Sequence, residues 1–583
     1  MSAEAEIEAE WDPSIRLVDR LLEEQRMLSA VDEFAAYHEQ AEHDKGRYEA
    51  LLPSGTPGEG EQFAFRVDLD LCTGCKACVT ACHSLNGLDE EEAWRRVGMV
   101  ETPPERPAGL GVESKITLQQ TVTTACHHCE DPACLAGCPV RAYDKDPITG
   151  IVRHLDDQCI GCRYCQLMCP YDVPQYSERL GIVRKCDLCR DRLSEGEAPA
   201  CVQGCPNEAI SIAIVGGQGR PSDGSEVVGG AARLLGVPLG AMPESSWTHP
   251  TTQYVSRRSD LERLHPVDQA SVEPSEAHGP LAVMLVLSQV AIGMVCVDFV
   301  LGRLPFLPEA NPTSSALVIA LATLLGLSGL GSSMLHLGRP RWAFRAVLGL
   351  RTSWMSREIV VLGGFAGLLL VSCGLGLIDW AVAEDWLGPD WRGASVFRFP
   401  VLSMTAACGL LGLYCSTKIY SVTGRPLWRF DRTATRFSLT AIWAGIGAAG
   451  IGLSVGAESA AISPGLAQVV LMLGLIGLTK FRIEVEEGSL VRSDCEGEEV
   501  AMSRTRALLD GELALHWRRR KQLLVVAGLV FPLLQIAAIA ITAPLWVRVA
   551  FGTSILAMGT VSDLLERRLF FRSEAMPSMP GVG

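Results

Sequence analysis

The distribution of apolar and polar positions divides the chain near residue 280. Beyond that point the sequence contains eight apolar runs, near 281–302, 314–336, 358–379, 399–419, 437–456, 464–480, 521–541 and 545–563. Runs of roughly 20 apolar residues are long enough to cross the hydrocarbon core of a bilayer as helices. The pattern therefore predicts an all-α polytopic membrane bundle of eight helices over residues 280–575. Because the number of spans is even, both ends of the bundle are expected on one side.

Before residue 280 the apolar positions form only short alternating segments. FAFRVDLDL (63–71) and AISIAIV (209–215) predict β-strands, which places an α+β domain over residues 63–217. Residues 218–279 are rich in Gly, Ser and Pro, and they predict a largely irregular linker that could lie along a partner.

Residues 1–62 form an acidic N-terminal extension. Its residues 13–40 show the apolar spacing of one or two amphipathic helices. Two interpretations are open, a solvated helix packed on the next domain and a docking arm for another subunit. Residues 5–36 read as an acidic amphipathic segment, so we expect no secretory leader.

Charge is distributed very unevenly along the chain. The loops on the side of residues 63–217 carry 22 lysines and arginines, whereas the opposite loops and helix ends carry four. The positive-inside rule therefore predicts a multi-pass protein of the cell (inner) membrane, with the domain before the bundle facing the cytoplasm. A formal net charge of −16 argues against a partner nucleic acid.

Sixteen of the 21 cysteines fall in four groups between residues 72 and 205. The first and third groups have C-x2-C-x2-C-x3-C spacing, and proline follows the last cysteine of the second, third and fourth. The groups are Cys72, Cys75, Cys78 and Cys82; Cys126, Cys129, Cys134 and Cys138; Cys159, Cys162, Cys165 and Cys169; and Cys186, Cys189, Cys201 and Cys205.

This spacing predicts iron–sulfur ligation. Three closely spaced cysteines wrap one cube, and the fourth ligates the other cluster of a pair, as in two-cluster ferredoxins. Sixteen thiolates then hold four [4Fe–4S] clusters in a double ferredoxin-like domain, called the cluster domain below (63–217). Zinc is an alternative, but two C-x2-C knuckles normally share one zinc ion. A disulfide framework is a second alternative, which the expected absence of a leader disfavours.

The membrane half contains two histidines, His336 and His516, and we place His516 in a polar loop. We therefore expect no haem, which would need two histidines facing each other inside the bundle, and the scarcity of mid-depth ionisable residues predicts no proton pump. A polar loop at 336–359 begins with His336 and ends beside Glu358, a pair suited to accepting the protons of a quinol. The alternative is a basic connector facing lipid headgroups, with Glu358 paired to an arginine.

Three cysteine-rich segments carry a family resemblance. ACHHCEDPACLAGCP, QCIGCRYCQLMCPYDVPQY and KCDLCRDRLSEGEAPACVQGCP resemble the electron-transfer subunit of dimethyl sulfoxide reductase-type molybdoenzymes. HLGRPRWAFRAVLGLRTSWMSREI and LERRLFF resemble the eight-helix anchor subunit of the same complexes. The chain thus resembles a natural fusion of the two subunits.

The resemblance implies how the cysteines are shared among clusters. It implies cluster 1 on Cys72, Cys75, Cys78 and Cys205; cluster 2 on Cys186, Cys189, Cys201 and Cys82; cluster 3 on Cys126, Cys129, Cys134 and Cys169; and cluster 4 on Cys159, Cys162, Cys165 and Cys138. Clusters 1 and 2 would lie nearer a catalytic subunit, and clusters 3 and 4 nearer the membrane. The family's quinol-site histidine and glutamate match His336 and Glu358.

We therefore expect a membrane-bound electron-transfer and anchor subunit that oxidises quinol from the quinone pool in the membrane lipid. Its electrons would pass through the clusters to a molybdopterin-containing catalytic subunit that reduces an S- or N-oxide in anaerobic respiration. The chain has no active site of its own for that acceptor. Two alternatives are the same path run in reverse, with a partner oxidising formate or a sulfur compound, and a redox sensor or scaffold.

Overall fold

The computed structural model describes residues 48–101, 119–220, 233–235, 245–258, 261, 265–267, 272–301, 303, 312–456, 464–487 and 496–575. The amphipathic segment predicted over 13–40 lies outside these residues.

The cluster domain is built on small sheets. β1 (Gln62–Asp68) pairs antiparallel with β8 (Ile210–Val215), and these strands coincide with the two predicted from the sequence. β2 (Arg96–Glu101) and β3 (Gln119–Thr124) pair antiparallel. β4 (Tyr143–Lys145) with β5 (Val152–His154), and β6 (Gln175–Ser177) with β7 (Ile182–Arg184), form two hairpins.

The cysteine loops lead into short helices. These are α1 (Ala77–Asn86), α2 (Ala133–Gly137), α3 (Tyr164–Met168), α4 (Arg190–Ser194) and α5 (Ala200–Gln203). In the first and third cysteine groups the loop turns through two left-handed residues at equivalent positions, Gly74 and Lys76, then Gly161 and Arg163. This backbone conformation reverses the chain tightly, so that successive thiols face a common centre.

The segment predicted as a largely irregular linker contributes strands to the cluster domain. β10 (Gln253–Ser256) pairs parallel with β1 and antiparallel with β9 (Arg233–Leu235), which gives a sheet of order β8-β1-β10-β9. β11 (His265–Pro266) pairs with β2. The strands are two to four residues long, too short for alternation to be visible in the sequence.

The membrane half is helical. Its helices are α6 (Gly279–Leu301), α7 (Pro312–Ser333), α8 (Trp354–Ala383), α9 (Ser395–Ser421), α10 (Phe430–Gly456), α11 (Pro464–Glu487), α12 (Glu496–Asp510), α13 (Ala514–Val525), α14 (Phe531–Ala540) and α15 (Leu545–Arg572). A π-helical turn at Val526–Val530 joins α13 and α14 into one span. Seven spans in the described part of the sequence are long and apolar enough to cross a membrane. The predicted sixth span falls within α11.

Glycine permits the closest approach between two of these helices. A Cβ on Gly293 of α6 would lie 1.8 Å from the Ala441 carbonyl oxygen of α10, and one on Gly445 would lie 2.2 Å from the Gly293 oxygen. Small residues let helix backbones meet in this way and gain dispersion contacts that larger side chains prevent.

The loop between α7 and α8 contacts the face of the cluster domain that is turned toward the bundle. It consists of two 3₁₀ segments, Met334–His336 and Pro340–Gly349. The Gly349 N–H donates to the Pro139 carbonyl at 2.8 Å, and the Ser353 hydroxyl donates to the Gly137 carbonyl at 2.7 Å. Arg339 donates to the Asp156 carbonyl at 2.9 Å. This loop therefore fixes the cluster domain on the bundle.

Candidate functional site

None of the sixteen predicted ligand cysteines forms a disulfide. Nine are buried, six are half-buried, and Cys75 is exposed. Four of them, Cys126, Cys129, Cys134 and Cys169, line one cavity. Burial, together with the thiols of Cys126 and Cys169, raises the pKa of Cys129 well above its ordinary value. The structure therefore brings together the four thiols implied for cluster 3.

The four thiols implied for cluster 4 also converge. Burial, followed by the Cys138 thiol, raises the pKa of Cys162. Burial, followed by the Cys162 thiol, raises the pKa of Cys165. The Cys159 thiol differs: burial raises its pKa, but the neighbouring His154 ring and backbone N–H groups outweigh burial and lower it.

The remaining thiols lie at the other end of the domain. Burial raises the pKa of Cys82 to about 12, and the Cys201 thiol adds to the effect. Burial likewise raises the pKa of Cys78, to which Cys201 and Cys205 contribute. Thiols implied for clusters 1 and 2 are therefore close neighbours.

Neighbouring thiol sets also interact with each other. Cys126 acts electrostatically on Cys186, which connects the sets implied for clusters 3 and 2. Tyr143 is buried between Cys165 and Cys134, which connects the sets implied for clusters 4 and 3. Together with the interaction of Cys78 with Cys201, these place the four sets in the order 1, 2, 3 and 4.

The donor sets fit iron–sulfur cubes. No three His, Cys, Asp or Glu side chains of the described residues converge tightly enough to share a single metal ion. Around one zinc ion, thiolates at about 2.3 Å from the metal would lie about 4 Å apart. A four-iron cube holds its four thiolates around a larger body, and the cavity lined by Cys126, Cys129, Cys134 and Cys169 provides such a space.

Two buried cations lie among these thiols, and the cysteine spacing did not point to them. Arg95 is 1% exposed and Lys185 is 2% exposed. The Lys185 Nζ lies 3.5 Å from the Cys126 Sγ and donates to the Cys186 carbonyl at 2.8 Å. Burial disfavours the charged form of Lys185, but the Cys126 and Cys134 thiols outweigh it and raise its pKa.

A second cavity lies where the cluster domain meets the bundle. His336 and Glu358 both line it, as does Cys162 of the cluster domain. The two candidate quinol-site residues, 22 positions apart in sequence, thus face one space beside a predicted cluster ligand. Its wall also contains Tyr164, whose hydroxyl donates to the Ile419 carbonyl at 2.8 Å.

Glu358 is 5% exposed and sits in the second turn of α8. Ser416 of α9 donates a hydrogen bond to its Oε1. Arg357, the neighbouring arginine, instead donates to the backbone carbonyls of Leu350 and Arg351. The alternative interpretation of this loop as a basic connector predicted that an arginine pairs with Glu358. Among the described residues, no arginine forms an ion pair with Glu358.

His278 is a cavity residue that the sequence analysis missed. It lies immediately before α6, and its ring meets that of His336 edge to face at 5.1 Å. Burial, followed by Arg163 and Arg425, lowers the pKa of His278 to about 4. Its Nδ1 lies 3.5 Å from the carboxylate of Glu276, which is 63% exposed. The two histidines and Glu276 thus form a row from the cavity to the surface.

A third group of ionisable side chains is buried in the second half of the bundle. Lys480 of α11 pairs with Asp563 of α15 at 2.6 Å, and Arg567 pairs with Glu566. His516, predicted in a polar loop, instead lies in the first turn of α13, because the run of basic residues after it is helical.

Comparisons with known proteins agree with the two-part organisation. Residues 118–214 match the family described as a 4Fe-4S dicluster domain, and residues 276–491 match the family described as the DMSO reductase anchor subunit. Over 151 residues the sequence is 41% identical to the B subunit of the anaerobic dimethyl sulfoxide reductase of Escherichia coli (strain K12), covering 26% of this protein and 73% of that relative.

Two further relatives are similar over stretches of comparable length. The B subunit of the anaerobic dimethyl sulfoxide reductase of Haemophilus influenzae is 38% identical over 155 residues, which cover 27% of this protein and 75% of the relative. The iron–sulfur subunit of the nitrate-inducible formate dehydrogenase of Escherichia coli is 35% identical over 170 residues, which cover 27% of this protein and 56% of the relative.

Proposed function

The protein belongs to the dimethyl sulfoxide reductase family as a fusion of its iron–sulfur and membrane-anchor subunits, and on this basis we propose that it oxidises quinol. Electrons then leave through four [4Fe–4S] clusters to a molybdopterin-containing catalytic subunit that reduces an S- or N-oxide. The observation that most directly supports this proposal is the cavity that Cys162, His336 and Glu358 line together. A quinol bound in this cavity would contact proton acceptors beside a cluster ligand.

His336 and Glu358 accept the two protons that leave with the electrons. His336 takes a hydroxyl proton, and His278 and the exposed Glu276 lie between it and water. Glu358 is oriented by Ser416 and takes the second proton. The clusters, when bound, accept the electrons one at a time.

The four clusters take the ligand sets that the family resemblance implies. Cluster 4, held by Cys159, Cys162, Cys165 and Cys138, receives electrons at the cavity, and clusters 3, 2 and 1 follow in that order. The electrostatic contacts between neighbouring sets support this sequence. The half-buried Cys72 and exposed Cys75 support a position of cluster 1 nearest the surface, where the catalytic subunit would bind.

The bundle spans the membrane eight times, with α11 as the sixth span in chain order, and the cluster domain faces the cytoplasm. Two features support this topology, the 24-residue length of α11 and the excess of basic residues in the loops on the cluster-domain side.

Glu358→Gln and His336→Gln test the quinol site. In anaerobic membranes, reduction of the clusters by a quinol analogue should slow about 10²–10⁴-fold in each variant, the usual contribution of a general base. Reduction by dithionite should be unchanged. His516→Gln is the matched control because it lies on α13, outside the cavity. Quinol-driven reduction at the wild-type rate in both cavity variants would refute the assignment.

The reverse direction, quinone reduction with electrons from a formate-oxidising partner, is a second candidate. Similarity to the formate dehydrogenase iron–sulfur subunit favours it. Redox titration of the four clusters separates the two directions, because potentials well below that of the quinone pool favour quinone reduction.

A further inference from the structure

Arg95 is a buried cation without a carboxylate partner in the described residues. Its side chain lies over the Phe65 ring at 4.4 Å, and its Nη1 donates to the Thr123 hydroxyl at 3.2 Å. The Nε and Nη2 groups are buried and have no hydrogen-bond partner among the described residues. An uncompensated buried charge is strongly unfavourable, so this guanidinium requires a counter-charge.

Sulfur provides that counter-charge. The Thr123 oxygen that accepts from Arg95 lies 3.6 Å from the Cys78 Sγ. Phe65, over whose ring Arg95 lies, packs in one buried cluster with Cys78, Cys186, Cys201 and Cys205. Burial lowers the pKa of Arg95, but the nearby Cys201, Cys78 and Cys186 thiols outweigh it. Cys78 belongs to the ligand set of cluster 1, whereas Cys201 and Cys186 belong to that of cluster 2. The guanidinium therefore lies between the two sets.

We infer that Arg95 donates its Nε and Nη2 hydrogens to sulfur atoms of clusters 1 and 2 and raises the reduction potentials of both. A fixed positive charge and hydrogen bonds to sulfur favour the form of a cluster that carries the extra electron. Each cluster gains one electron from its reductant, and Arg95 stays protonated throughout. Electrons arriving from the membrane side are thereby drawn toward the exposed end of the domain.

The inference rests on the presence of the first two clusters and is independent of quinol oxidation. It is therefore tested with dithionite and redox mediators on the purified full-length protein, by electron paramagnetic resonance during a potential titration. A failure of the quinol assignment leaves these potentials measurable.

Arg95→Gln should lower the reduction potentials of two of the four clusters. The equilibrium constant for reducing each of these two clusters should fall at least tenfold, which corresponds to 59 mV for a one-electron couple. The other two clusters should keep their wild-type potentials. Arg96→Gln is the matched control, because the Arg96 side chain points to Asp172 at 3.3 Å. Unchanged potentials in an Arg95→Gln protein with its full iron content would overturn the inference.

A second measurement does not depend on how well Arg95→Gln retains iron. Wild-type protein is grown with arginine carrying ¹⁵N in the guanidinium, reduced, and measured by pulsed electron paramagnetic resonance. An arginine-nitrogen coupling to cluster 1 or cluster 2 is expected, and it should disappear in Arg95→Lys, which keeps the positive charge. No coupling in the wild type, or a coupling that persists in Arg95→Lys, would refute the role of Arg95.

Discussion

The two halves of the membrane bundle both bury ionisable side chains, but they treat them differently. In the second half, Asp563 and Glu566 each contact a cation, Lys480 and Arg567. In the first half, Glu358 is as deeply buried, and its hydrogen bond within the described residues comes from the Ser416 hydroxyl. A carboxylate beside a buried cation compensates that cation's charge, whereas a carboxyl without a cation is free to exchange a proton. Burial alone therefore does not distinguish these carboxyl groups; the partner that each has among the described residues does.

The largest effect on stability is expected from removing one member of the buried Lys480–Asp563 ion pair. Asp563→Asn leaves Lys480 buried without its carboxylate, which should lower the free energy of unfolding by about 3–5 kcal/mol. Thermal unfolding of the detergent-solubilised protein measures the loss. The double variant Lys480→Met/Asp563→Leu, which removes both charges, should recover most of it.

Glu358→Gln tests the carboxyl group that has no cation partner among the described residues. It should leave the unfolding temperature close to that of the wild type while abolishing quinol-driven reduction. Equal destabilisation by Asp563→Asn and Glu358→Gln would show that the two groups do not differ as described.

A smaller effect is expected where the cavity loop meets the cluster domain. A Cβ at Gly338 would lie 2.1 Å from the Gly181 carbonyl oxygen, so Gly338→Ala should displace the loop at a cost of about 1–3 kcal/mol. Quinol-driven cluster reduction should slow more than dithionite-driven reduction, because His336 moves relative to Cys162.

Gly331→Ala is the control for this variant, since no atom lies within 4 Å of a Cβ built there. If both glycine variants reduce their clusters from quinol at the wild-type rate, the loop does not set the geometry of the cavity.

The smallest effect is expected at Ser416. Ser416→Ala removes the hydrogen bond to Glu358, and such a bond contributes about 0.5–1.5 kcal/mol. Quinol-driven reduction should therefore fall about three- to tenfold, measured as initial rates in membranes. Ser403→Ala on the same helix, whose hydroxyl bonds to the Pro400 carbonyl, should have no effect; equal losses in both variants would contradict a specific role for Ser416.

The sequence predicted features that depend on short-range spacing. Cysteines three and four positions apart define the loops, and apolar runs of about 20 residues define the spans. The strands around residues 63–71 and 209–215 were also predictable, because their alternation extends over enough residues.

Features that depend on distant pairing were not predictable. Arg95 reaches thiols more than 90 positions away, and Lys480 meets Asp563 across 83 positions. His278 lies in a segment whose composition predicted an irregular linker. Nothing in the local pattern distinguishes these side chains from solvated ones, since their partners come together only through tertiary packing.

The central position of β10 has a consequence for how the cluster domain and the membrane bundle are connected. This strand comes from the connection to the bundle, yet it lies between β1 and β9 in the sheet. A polypeptide cut before residue 253 would leave the backbone groups of β1 unpaired along one edge. Electron carrier and anchor are therefore bound by shared backbone hydrogen bonds as well as by the covalent connection, and they are made in equal amounts.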